Sequence, residues 1–242
     1  MNRKGRGFIC LIILLFVLNV LLGANLSAVD AQTPVSLATI LTHIKVGWLK
    51  LASVEVAQVL EAGFPVDEEF LVLSGLLLST NGQPGLAREA YLRALSTGRL
   101  QEPDQATLLA LIGRTYFDQR DYRRAKEYYR QALSRSEDQV FSLLDLGAIA
   151  LSEGELELAG EYLARAEKAG GETSVRLLIL RGDLAVACQD YSAALSRYQA
   201  ALKLAPSEAQ IYYRLRQVYQ LTGRDAEWAA LVEQAKKYGI EL

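Results

Sequence analysis

The feature that most constrains this chain is a period. DYRRAKEYYRQAL at residues 121–133 returns as DYSAALSRYQAAL at residues 190–202, and the two share Asp, Tyr, Ala, Tyr, Ala and Leu at the same places. Three further copies lie in register: QPGLAREAYLRAL from Gln83, ELELAGEYLARAE from Glu155 and RDAEWAALVEQAK from Arg224. Each copy follows a second apolar-periodic segment with a small residue at a fixed place: Gly75, Gly113, Gly147 and Gly182, with Arg216 in the last. These five positions are spaced 38, 34, 35 and 34 apart. Alanines keep the same period, as Ala87, Ala125, Ala159 and Ala194 (then Trp228) and as Ala94, Ala132, Ala166, Ala201 and Ala235. A fixed period near 34 predicts a stacked array.

Within each copy, apolar and small residues recur at three- and four-residue steps, which predicts amphipathic helices. Asn81-Gly82-Gln83-Pro84, Glu153-Gly154 and Thr222-Gly223-Arg224 punctuate the copies midway, so each is two helices joined by a tight turn. One such pair cannot bury its own apolar stripe and must stack on its neighbours. Small side chains at a fixed place in each helix let the two backbones approach closely.

These residues resemble the tetratricopeptide repeat (TPR) family over about residues 67–240. The resemblance rests on Gly75 with Leu78, Gly113 with Tyr116, the helix-opening Tyr122 and Tyr191, the aromatic between two alanines (Tyr91, Tyr129, Tyr198) and the closing Pro206. Departures are the missing early tryptophan, a single closing proline, a four-residue insertion at Gln101–Asp104, and Arg216 with Trp228 in the last copy, as suits a terminal cap. The resemblance implies an all-α, right-handed superhelical solenoid of stacked antiparallel helix pairs. About five units are expected, near 68–101, 106–139, 140–174, 175–208 and 209–242, forming an array over 67–242. An N-terminal helical cap or degenerate repeat is expected over 32–66, where Leu37, Ile40, Leu41, Ile44, Trp48 and Leu51 form a stripe. Thr33-Pro34 is expected to start this helical region, and Gly63 with Pro65 to stop it.

Residues 1–31 form a targeting segment. NRKGR at residues 2–6, the apolar run FICLIILLFVLNVLL at 8–22 and the small residues Gly23, Ala24, Ser27, Ala28 and Ala31 describe a secretory signal peptide. Cleavage is expected before Gln32 or after Ala28; an uncleaved signal anchor, a membrane tether through residues 8–29, is the alternative. Either way the remainder is expected to work outside the cytoplasm, in the periplasm, at the cell envelope or secreted.

Composition narrows the chemistry. A net charge of -2 gives no electrostatic case for nucleic acid. With one histidine, His43, and two cysteines, Cys10 and Cys188, there is no zinc cage or His-based relay, and no phosphate-cradling glycine loop is encoded. Catalytic, cofactor and metal residues are therefore expected to be none. Glu155, Glu157, Glu161, Asp67, Glu68 and Glu69, and the mixed run Arg114, Arg120, Arg123, Arg124, Arg130 with Asp118, Asp121 and Glu127, read as solvated helix faces.

The expected function is non-catalytic binding of a protein or peptide in the concave groove. Alternatives are a structural subunit of a cell-envelope assembly or secretion complex, and an enzyme with an unrecognised carboxylate site. In the family, the first helix of each unit lines the groove. Carried onto this chain, that predicts apolar contacts from Val72, Leu76, Phe117, Phe141 and Leu144, with polar anchors at Arg114, Asp145, Arg176 and Asp183. The Lys, Arg and Asn pattern of relatives that clamp a C-terminal carboxylate is missing from the matching places, so no such clamp is expected.

Overall fold

The structure, a computed structural model, describes residues 37–63, 66–171 and 174–241. The expected targeting segment, with Cys10, and Thr33-Pro34 and Pro65 lie outside the described residues. Helices fill almost everything described, and no strand occurs among the described residues. In chain order they are α1 (Leu37–Lys45), α2 (Leu49–Glu61), α3 (Glu68–Thr80), α4 (Pro84–Ser96), α5 (Glu102–Asp118) and α6 (Tyr122–Arg135). They continue as α7 (Val140–Glu153), α8 (Leu156–Ala166), α9 (Val175–Ala187), α10 (Tyr191–Leu204), α11 (Ala209–Thr222) and α12 (Asp225–Lys236). The chain divides between Tyr128 and Tyr129 into two compact units. Unit 1 holds α1–α5 and the start of α6; unit 2 holds the rest of α6 and α7–α12.

The turn inside each of the five copies is built one way. Seven residues after the recurring small position the backbone is left-handed, with φ of 77° at Gly82, 62° at Arg120, 78° at Gly154, 61° at Gln189 and 67° at Gly223. In each, the next residue donates its N–H five residues back, from Gln83 to Leu78, Asp121 to Tyr116, Glu155 to Ala150, Asp190 to Ala185 and Arg224 to Tyr219, at 2.8–3.0 Å. This closure satisfies the last carbonyls of the first helix and reverses the chain into the second. Asp121 and Asp190 then cap the second helix, accepting from Arg124 N at 3.1 Å and Ala193 N at 2.9 Å.

Every alanine of the two series is fully buried, from Ala87 to Ala194 and from Ala94 to Ala235. The small first-helix residue meets the residue sixteen places later. A Cβ on Gly75 would fall within the Tyr91 ring and one on Gly182 within the Tyr198 ring, while one on Gly147 would stand 2.9 Å from Leu163. So the glycine is less a point of backbone contact than a socket for a large side chain from the second helix. In the last pair the small residue is replaced, and Arg216 lies over the Trp228 ring, 5.6 Å from its centroid.

Unit 1 has one core, running from Ile40 and Ile44 through Val56, Val59, Leu77, Leu78 and Tyr91 to Leu108 and Ile112. Unit 2 has a cluster around Leu143, Leu163, Leu177 and Leu180, and another around Tyr198, Tyr212, Leu215 and Val218.

Within the four-residue insertion at Gln101–Asp104, Glu102, Pro103 and Asp104 form the first turn of α5, where proline is tolerated. One expectation is corrected. The N-terminal stripe does not run through Trp48 and Leu51, because Gly47 (φ 84°) turns the chain between α1 and α2 and leaves both residues exposed.

Candidate partner-binding face

Two polar ties of one design stand in unit 2. Asp145 on α7 accepts from the Tyr129 hydroxyl at 2.6 Å and is ion-paired with Arg176 on α9. Asp183 on α9 accepts from the Tyr198 hydroxyl at 2.6 Å and stands 2.7 Å from Nε of Arg214 on α11. Each tie joins the first helix of one copy to the first helix of the next, with Asp and Arg 31 residues apart in both. The Asp145 side chain is 2% exposed and that of Arg176 34%. Such pairs need their tyrosine, because a buried carboxylate must fill its remaining acceptor sites.

Burial pushes the Asp183 carboxyl above its ordinary value of 3.8, against the lowering effect of the Tyr198 hydrogen bond and the Arg214 charge. The Tyr198 phenol is pushed up as well, by burial first and then by its bond to Asp183.

These ties decide the fate of the expected groove residues. In unit 2, Phe141 is exposed, Arg176 and Asp183 are half-buried, and Leu144 and Asp145 are buried. Leu144 belongs to the core around Leu143 and Leu163, and Asp145 is spent on Tyr129 and Arg176. Both side chains lie beneath the surface of unit 2. Asp183 is likewise committed to Tyr198 and Arg214.

In unit 1, Val72 and Leu76 are half-buried against the core. Arg114 donates to Asp118 at 2.9 Å and lies over the Phe117 ring, 5.2 Å from its centroid. The structure thus brings together Asp145 with Arg176, and Arg114 with Phe117.

Missed from the sequence were Arg214, Tyr213 and the polar role of Tyr129 and Tyr198. The shared 31-residue Asp-to-Arg spacing was the available signal. Tyr213, half-exposed on α11, donates to the Glu241 carbonyl at 3.2 Å. With Phe141 it gives unit 2 two large aromatic side chains on first helices that reach solvent.

The other candidates resolve into structure. His43 Nδ1 lies 2.8 Å from Glu55 Oε2, joining α1 to α2. Asp67 caps α3 by accepting from Phe70 N at 2.8 Å, and Glu155, Glu157 and Glu161 are exposed. Tyr116 stacks on Tyr128 with Arg88 above it, 4.4 Å from its centroid. No group of three or more metal-ligating side chains gathers among the described residues.

Comparison with known proteins agrees with this geometry. Family models described as tetratricopeptide repeat match residues 69–138 and 110–172, and one described as TPR repeat matches 182–223. The mouse (Mus musculus) tetratricopeptide repeat protein 21A is 25% identical over 166 residues, 69% of this chain and 13% of that protein. Among solved structures, that of the APC/C hetero-tetramer Cut9-Hcn1 gives a TM-score of 0.70 at 14% identity, covering 93% of this chain and 42% of the other. PilF of Pseudomonas aeruginosa gives 0.63 at 19% identity, covering 83% and 88%. The chain thus spans less than half the length of the first two. The structural likenesses establish the fold, the helix-pair solenoid, and nothing finer.

Proposed function

Because the chain belongs to the tetratricopeptide repeat family, whose arrays act as protein-interaction scaffolds, we propose that it is an exported, non-catalytic scaffold holding another protein or peptide on the first-helix face of unit 2. The observation that carries this reading is the combination on α7, α9 and α11 of ion-paired ties and exposed aromatic rings. Asp145–Arg176 and Asp183–Arg214 hold successive first helices in register, while Phe141 (58% exposed) and Tyr213 (50% exposed) stand out from them. A rigid face with a few large apolar anchors and half-exposed arginine heads suits an amphipathic helix or an extended segment with apolar side chains.

Export is supported by the order of basic NRKGR, apolar run and small residues in the first 31 positions. No described helix is long and apolar enough to cross a membrane, so a tether would run through residues 8–29.

The test is capture from envelope extract by the full chain, followed by affinity measurement on the captured partner. Phe141→Ala with Tyr213→Ala should weaken binding tenfold or more, about 1.4 kcal/mol, with the melting temperature unchanged. Undiminished binding by that folded variant would move the site off this face. Asp183 is unsuitable as a probe, because reversing its charge would break the tie to Arg214.

A further inference from the structure

The α1–α2 pair exposes an apolar rim that none of the readings above uses. Val46 (57% exposed) lies in the turn, and Trp48 (60%), Leu51 and Val54 follow at three-residue steps along one side of α2. The rim is fixed in place. Trp48 stacks on His43 with ring centroids 5.5 Å apart, and the Leu49 carbonyl accepts from Asn81 Nδ2 at 3.1 Å, which binds the start of α2 to the end of α3.

Its nearest exposed charges are cationic, and the exposed acid of α2, Glu61, stands two turns beyond Val54 at the far end of the helix. Lys45 and Lys50 are exposed beside it. No acid occurs between residues 37 and 54, and the first, Glu55, is turned inward onto His43. The neighbouring end of α3 and its turn, Thr80-Asn81-Gly82-Gln83-Pro84, carries no acid either. A chain of net charge -2 therefore has a cation-edged apolar rim beside its first described turn.

We propose that this rim seats on the surface of an anionic lipid bilayer. An exposed indole is suited to headgroup depth, aliphatic neighbours to the acyl boundary, and lysines to anionic headgroups while their stems lie along apolar surface. The inference rests on the uncleaved-anchor alternative, a tether through residues 8–29 that makes the surface local. The apolar run ends at Leu22, 15 residues before α1 begins at Leu37, a stretch that can span at most about 50 Å.

The full chain carrying Trp228→Phe retains Trp48 as its one tryptophan. It is reconstituted with vesicles of phosphatidylcholine and phosphatidylglycerol, three to one, with and without brominated acyl chains. The expected result is flotation with the vesicles and at least twofold quenching of Trp48 emission by the brominated lipid. The complementary Trp48→Phe chain should float while Trp228 stays unquenched. Lys45→Glu with Lys50→Glu should reduce the quenching without preventing flotation. Flotation with unquenched Trp48 overturns the lipid seat and leaves the tether standing. Failure to float overturns the tether and the seat together. Doubling of the mass in detergent with Trp48 blue-shifted but unquenched in vesicles assigns the rim to a second copy of the chain and overturns the proposal, and quenching indifferent to the charge reversal overturns its anionic-lipid part.

Discussion

Tyr91 in unit 1 and Tyr198 in unit 2 occupy the same place in the repeat and have different chemical surroundings. Both are buried, and both rings fill the socket left by a glycine sixteen residues earlier, Gly75 and Gly182. In unit 2 the residue after the glycine is Asp183, which accepts the Tyr198 hydroxyl and pairs with Arg214. In unit 1 that residue is Leu76, and the Tyr91 hydroxyl has no hydrogen-bond partner among the described residues. Burial accordingly pushes the Tyr91 phenol upward with no bond contributing to the shift. The repeat therefore specifies the packing of the ring and leaves its polar completion to whichever residues neighbour it. A buried hydroxyl without a partner costs about 1–3 kcal/mol relative to a satisfied one, so unit 1 gives up stability at a position where unit 2 gains a tie between helices.

Removing the rings should give the largest effect. Tyr91→Ala and Tyr198→Ala should each cost at least about 3–5 kcal/mol, as for other buried aromatics, read as loss of amide-exchange protection in α3–α4 and α9–α10 respectively. Tyr198→Ala should be the costlier, since it also strips Asp183 of a hydrogen bond; a costlier Tyr91→Ala would mean that the two sockets are not equivalent. Removing only the hydroxyl should isolate the contrast. Tyr198→Phe deprives a partly buried carboxylate of a hydrogen bond and should cost about 1.5–3 kcal/mol, whereas Tyr91→Phe should be neutral or stabilising. Equal costs would show that Tyr91 has an acceptor in solution. Crowding a helix contact comes next: Ala159→Leu should cost about 1–3 kcal/mol by overpacking, and Glu157→Leu, two residues away and exposed, should fall within about 0.5 kcal/mol of no change. Matching melting shifts would put the buried face of α8 elsewhere.

The smallest effect is a pH dependence confined to unit 2. The folded pKa of Asp183 lies above its ordinary 3.8, so the native state holds this proton more tightly than the unfolded chain. Stability contributed by the protonated group is present below about pH 3.8 and is lost as pH rises through the folded pKa, after which it is level. Asp183→Asn should flatten that slope in denaturant titrations across the acid range. Arg214→Gln, which removes a charge that lowers the pKa, should move the Asp183 titration further upward by NMR. A downward move would show that the arginine is not its partner.

What could be read beforehand follows from what the period encodes. The alanines and the helix-turn-helix copies were legible because packing recurs every 34 or so residues. The ties were not, because they sit out of register: Asp145 lies two residues before Gly147, and Asp183 one residue after Gly182. Aligning the copies on their glycines sends the two acids to different columns, and only the Asp-to-Arg interval reunites them. The burial of Leu144 was not legible for a related reason. Assigning a groove by family position presumes one rotation of the first helix, and the core of unit 2 includes Leu143 and Leu144 together. The N-terminal pair was legible as helices but not in its exposed face. An apolar stripe on a terminal pair gives no sign of which residues lack a covering neighbour.

The five left-handed turns bear on how this chain tolerates change. Three are glycine, for which positive φ costs nothing, and two are Arg120 and Gln189, for which that conformation costs about 1–2 kcal/mol each. In a scan of every substitution along the sequence, these two positions, exposed and remote from any core, should behave unlike ordinary surface sites. Glycine should match or exceed the native residue, asparagine should follow, and valine or isoleucine should score as badly as a core defect. The pattern of permitted residues would then mark out the copies at intervals of 38, 34, 35 and 34, tracing the array by its intolerance instead of its likeness.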